Sequence, residues 1–158
     1  MIKKNIISGI FLFSSILYAQ QCLDEWEYSI TANNAIIAIQ QDNFSNIYIA
    51  GTDLTTSIQY IECPMWIGVF YQPSEGGSLE CAGYTQWTND QNMAITAWGD
   101  DSTTPELDGM SNGDSYIFGL CIEGYQGFFV GVPSMLSSGM FTDTYATNAF
   151  ASLEGVVF

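Results

Sequence analysis

Trp66-Ile67-Gly68-Val69-Phe70-Tyr71, then Pro73-Ser74-Glu75-Gly76-Gly77, then Leu79-Glu80-Cys81-Ala82-Gly83-Tyr84-Thr85-Gln86-Trp87, is the stretch that decides the fold. Two runs rich in β-branched and aromatic residues flank a reversal built from Pro and paired Gly, which reads as an antiparallel β-hairpin. Gly68 and Gly83 interrupt the two runs and mark places where a second backbone or a large ring packs close.

Working outward, Thr88-Asn89-Asp90 makes a turn into Met93–Trp98, so three consecutive antiparallel strands are expected here. No 3.6-residue apolar period appears anywhere beyond the N-terminus. Short runs bounded by Gly, Ser, Thr and Asn recur instead. Strands are expected near Trp26–Thr31, Ala35–Gln40, Asn46–Ala50, Ile58–Ile61, Met65–Tyr71, Leu79–Trp87, Asn92–Trp98, Tyr116–Ile122, Gly127–Val132 and Phe150–Val157. That spacing predicts an all-β chain folded as an antiparallel β-sandwich, immunoglobulin-like or jelly roll.

One connection stands out. Between the last strand of the triplet and Tyr116–Ile122 lie about sixteen residues, above the length that compact domains leave without a role. It carries Asp100, Asp101, Glu106, Asp108 and Asp114 and no positive side chain. Two readings follow. Hard cations such as calcium take six to eight oxygen ligands, so the five carboxylates are candidate calcium ligands. Alternatively, Asp-Gly, Asn-Gly and Thr-Pro are turn formers and need no metal, and the spacing does not match the helix–loop–helix calcium pattern.

Met1-Ile2-Lys3-Lys4, the apolar run Ile6–Leu17 and Tyr18-Ala19-Gln20 have the layout of a secretory signal peptide cleaved after Ala19. Residues 1–19 are therefore expected to be the signal and 20–158 a single domain. The apolar run is too short to persist as a membrane span. The expected location is secreted, extracellular or cell-surface, with the periplasm also open. Cleavage removes Lys3 and Lys4, the only basic side chains in a chain without His, and leaves seventeen acids. Binding to nucleic acid or to anionic lipid needs cations the mature chain does not have. Nucleophilic triads and His-bearing zinc sites lack their His. A glycosidase-type carboxylate pair remains open, but seventeen acids supply such a pair by chance, so no enzyme is expected.

Cys22, Cys63, Cys81 and Cys121 all follow the signal. An even count in an exported chain predicts two disulfides with the pairing undetermined.

Trp66-Ile67-Gly68-Val69-Phe70, Glu80-Cys81-Ala82-Gly83 with Trp87, Ala94-Ile95-Thr96-Ala97-Trp98-Gly99-Asp100-Asp101, Thr104-Pro105-Glu106-Leu107-Asp108-Gly109 and Gly113-Asp114 together resemble a β-rich module repeated in large secreted and cell-surface proteins of Bacteroidota. Tyr145–Phe150 and Leu153-Glu154-Gly155 are similar to the way that module closes. The resemblance covers roughly residues 30 to 155. It implies an accessory, adhesive or structural unit and carries over no catalytic residue.

The expected function is therefore a non-catalytic structural one: a subunit of an extracellular filament, surface layer or matrix, homo-oligomeric or polymeric and calcium-stabilised if the acidic loop binds metal. Either Trp26–Gln40 or Phe150–Phe158 would serve to pair with a neighbour's open sheet edge, unless both complete the chain's own sandwich. The alternative is a secreted carbohydrate-binding or adhesive module. Trp66, Trp87, Trp98 and Tyr84, with Tyr71 and Tyr125, are its candidate sugar-stacking rings, although rings in a sandwich serve the core more often than a platform.

Overall fold

A computed structural model describes residues 23–51, 55–74 and 76–158. The expected signal segment and Cys22 lie outside the described residues. The described strands, in chain order, are β1 Asn34–Ile39, β2 Ile47–Ala50, β3 Thr55–Ser57, β4 Met65–Tyr71, β5 Glu80–Gln86, β6 Met93–Trp98, β7 Ile117–Ile122, β8 Phe129–Met135 and β9 Phe150–Val157. The all-β expectation holds. Period-2 alternation is the cause: in β1 Ala35, Ile37 and Ile39 point into the core, and in β6 Met93, Ile95 and Ala97 do the same.

The strands form two layers that share one strand. In one layer β5, β4, β7 and the first half of β8 pair antiparallel, with Val69 opposite Gly83 and Phe118. In the other, β6 pairs β1 antiparallel, and β9 runs beside β1, β2 and the second half of β8. β8 leaves the first layer after Gly131 and joins the second at Val132, with a register shift at Ser134/Met135. Strands that change layers at such bends make the corners of sandwiches. The core between the layers includes Ile37, Ile67, Val69, Ile95, Phe118, Leu120 and Leu153.

β4 is covered on both faces. Met65, Ile67, Val69 and Tyr71 face the core, while Trp66, Gly68 and Phe70 face a second cluster outside it. Trp26 organises that cluster, with ring centroids 5.0 Å from Phe70, 5.5 Å from Phe128 and 5.8 Å from Tyr84. Its ring rests on Gly68, where an added Cβ would stand 2.9 Å away. At Gly83 an added Cβ would run into the Thr96 carbonyl, and φ is +151°. Both glycines thus sit where a ring or a backbone presses close.

Several expectations are corrected. Trp26–Thr31 is not a strand; its residues form the irregular cover just described. Ile58–Tyr60 is a 3-10 turn, and the strand there is Thr55–Ser57. β6 pairs with β1 and not with β5, so the antiparallel triplet stops at two, because Ile37 and Ile95 meet across the sequence to seal the core. The sandwich is mixed, since β9 is parallel to both β1 and β2. Segments Trp26–Gln40 and Phe150–Phe158 are not spare: β1 lies between β6 and β9, and β9 has neighbours on both sides. Two disulfides do not form, because Cys63 and Cys81 are free thiols.

Candidate functional site

The acidic connection closes on itself. Gly99 bridges Met110, the Asp100 amide donates to the Met110 carbonyl at 2.9 Å, and the Met110 side chain is buried beneath. Asp100 Oδ1 accepts from the Asp108 amide at 3.2 Å, and Asp108 Oδ1 accepts from the Asp101 amide at 2.9 Å, a reciprocal staple across the loop. Asp101 Oδ1 accepts from the Thr103 hydroxyl at 2.7 Å and its amide at 2.9 Å, and those two bonds hold its carboxyl below the usual range. Asp114 Oδ2 accepts from the Ser111 amide at 2.8 Å. The carboxylates therefore act as caps for loop amides, as Asx turns do.

This geometry lends the calcium reading no support of its own. Among the described residues no group of three Asp, Glu or Cys is arranged to hold a metal ion. Asp100, Asp101, Glu106, Asp108 and Asp114 lie along one loop, and their hydrogen bonds bring Asp100, Asp101 and Asp108 together at its base. Turn chemistry accounts for four of the five. The loop base is fixed by Thr31, whose hydroxyl donates to the Gly99 carbonyl at 2.7 Å, and by Asn33, whose amide group donates to the Asp100 carbonyl at 2.7 Å.

What the loop does build is a wall. Its Leu107 and Asp108 face Glu27 and Tyr28 of the N-terminal cover and Tyr71 and Glu80 of the β4–β5 hairpin across a cleft of about 300 Å³. The Tyr71 hydroxyl donates to Glu80 Oε2 at 3.0 Å. Burial first, then that bond and the charges of Glu80, Asp108 and Asp100, hold the Tyr71 phenol well above its ordinary pKa. Tyr28 stands edge-on to Tyr84 with centroids 5.7 Å apart, which fixes its ring at the rim. Cys81 lines the same cleft, and burial pushes its thiol up to about 12 against the opposing pull of the Gly83 backbone, so it is neutral. Glu27 and Tyr28 carried no motif. Only the path of the N-terminal cover brings them here.

The candidate stacking rings are scattered. Trp87 is a core residue against Phe44, its indole N–H bonded to Asn89 Oδ1 at 2.6 Å. Tyr71 is buried, and Trp66 and Tyr84 are half-buried in the outer cluster. Trp98 is half-buried beside Gly83. Tyr125 alone of the six is openly exposed, 6.1 Å from Phe129. Of the cysteines, Cys63 is exposed and Cys81 buried, Cys121 is fully buried, and Cys22 is outside the described residues.

No family model matches this chain, and comparison with curated proteins and with solved structures finds no significant match to either.

Proposed function

We propose that the chain is an exported, non-catalytic structural protein, a subunit of an extracellular filament, surface layer or matrix. The observation that carries this reading is an apolar stripe on the outer face of the β8–β9 corner. Val132 and Val157 are cross-strand partners and so share a face, and Val130 lies two residues along the same strand. Val132 is 78% exposed and Val130 51%, although both belong to a regular strand. Solvent-facing positions of a soluble sheet are ordinarily polar, and grouped exposed apolar residues mark contact surfaces. Strand exchange is not needed for such contact. Since mature copies carry only negative side chains, association would strengthen as salt screens their repulsion.

The test is sedimentation and electron microscopy of residues 20–158 across salt concentrations, with calcium and with chelator. Ordered fibres or layers that are lost in Val132→Glu support the reading. Dispersed monomers under every condition overturn it.

A second reading, a carbohydrate-binding or adhesive module, draws support from Tyr125. Its exposed ring borders an apolar hollow of about 380 Å³ formed with Ile49, Ile61, Ile122 and Phe129. An exposed ring beside a hollow suits stacking on a sugar face. Glycan-array binding that Tyr125→Ala abolishes, by a chain that stays monomeric, would favour this reading over the first.

A further inference from the structure

We propose that Asn112 is a self-modification site, where water deamidates the side chain by way of the Gly113 nitrogen, and that a clip to residues 145–147 holds the reaction off while the fold is closed. Asn112-Gly113 is the only Asn-Gly pair in the sequence. In such a pair the glycine nitrogen can attack the asparagine amide carbon, because no side chain hinders the approach. Both residues are exposed, so water reaches them. The pair also forms a turn: the Asp114 amide donates to the Ser111 carbonyl at 3.0 Å, with Gly113 at φ +97°.

Turn formation does not account for what holds the two reacting groups. Asn112 Oδ1 accepts from the Thr147 amide at 2.9 Å, and the Thr147 hydroxyl donates to the same oxygen at 3.4 Å. The Gly113 N–H, which must lose its proton to act as a nucleophile, donates to the Tyr145 carbonyl at 2.8 Å. Tyr145 is buried and its own amide donates to the Asp114 carbonyl at 2.8 Å, so the clip is anchored in the core. Electrophile and nucleophile are thus both held by one segment, and both contacts must open before they can meet.

Water is the only co-reactant. Hydroxide takes the Gly113 amide proton, the nitrogen bonds to Asn112 Cγ and the Cγ–Nδ2 bond breaks. The leaving nitrogen takes a proton from water and departs as ammonia, and a succinimide ring remains. Water then opens the ring at either carbonyl. One product is aspartate, which keeps an oxygen for the Thr147 amide. The other is isoaspartate, whose main chain runs through the side-chain carbon, so the Ser111–Asp114 turn gains a backbone atom and the clip cannot close as before. The reaction makes a reversible opening permanent.

The modification does not depend on assembly and is read on dispersed protein. Residues 20–158 are incubated in mildly alkaline buffer, folded and in urea, then digested with a protease that cuts beside Glu, and mass spectrometry follows conversion of amide to acid at each asparagine. Opening the clip breaks two hydrogen bonds, so Asn112 is expected to convert at least about tenfold more slowly in the folded chain than in urea. Thr147→Pro removes the amide donor and the hydroxyl together. It suits the backbone there: the Ala149 amide donates to the Ala146 carbonyl at 3.0 Å and Asn148 has φ +62°, a type II turn that places residue 147 where Pro is favoured. This variant, shown folded by circular dichroism, should convert at least about threefold faster than the folded parent, while Thr147→Val, which keeps the amide donor, should match the parent. Equal rates folded and in urea, or an unchanged rate in folded Thr147→Pro, would overturn the clip; if Thr147→Pro does not fold, the comparison with urea decides. Faster conversion at another asparagine in urea would overturn the site.

Discussion

Trp26→Ala should be among the most damaging substitutions outside the main core. The side chain is 1% exposed, lies on Gly68 and makes edge contacts with Phe70, Phe128 and Tyr84. Truncating a buried Trp costs about 3–5 kcal/mol, and gaps beside three rings place the expected loss in the upper half of that range. Domains are stable by only about 5–15 kcal/mol, so the effect is a large fraction of the whole. Trp26→Phe separates ring packing from polarity. The indole N–H has no hydrogen-bond partner among the described residues, so replacing it by an apolar ring removes a buried donor whose burial costs about 1–3 kcal/mol. Trp26→Phe should then lose less than half of what Trp26→Ala loses. Urea unfolding followed by far-UV circular dichroism measures both. A Trp26→Ala loss below about 1 kcal/mol would mean that the N-terminal cover is not part of the cooperative fold, and the outer-cluster argument would fall.

Further outcomes follow from the same packing. Gly83→Ala should destabilise by about 2–5 kcal/mol, because the new methyl meets the Thr96 carbonyl at a φ that side chains disfavour; an unchanged urea midpoint would refute the contact. Burial pushes Tyr116 from 10.0 to about 12 and Cys81 from 9.0 to about 12, so the folded state holds protons that the unfolded chain releases. Stability is therefore full below about pH 9 and falls as pH rises toward 12, read as a drop in Tm, and a flat profile across that window would contradict the burial. In the native protein a thiol reagent should label Cys63 rapidly and Cys81 only on unfolding, and equal native rates would refute the assigned exposures.

Much of the architecture is legible in local pattern. β4 and β9 can be placed to the residue, since Met65–Tyr71 and Phe150–Val157 are runs rich in apolar residues, each broken by one glycine, with turn residues close by. Gly68 and Gly83 are legible as close approaches, because glycine weakens a strand and is kept inside one where a ring or a backbone leaves no room for a side chain. Trp26–Thr31 misleads because its aromatic residues are buried by lying across a sheet, and composition alone does not distinguish that from being a strand. The acidic loop is legible as a structured element. Its carboxylates, however, bind their own loop's amides, and five acids at irregular spacing read the same way whether they cap turns or ligate a metal.

The sequence by itself determined the all-β class, the absence of any basic side chain beyond residue 4 and the existence of a long ordered loop, because period, turn chemistry and charge are local or additive properties. The tertiary structure alone decided that β6 joins β1, that β9 runs parallel to β1 and β2, that Cys63 and Cys81 stay unpaired, and that Glu27, Glu80 and Asp108 share a cleft. Each of these depends on which distant segments meet, and that is set by how the two layers seal one core rather than by any short stretch of chain.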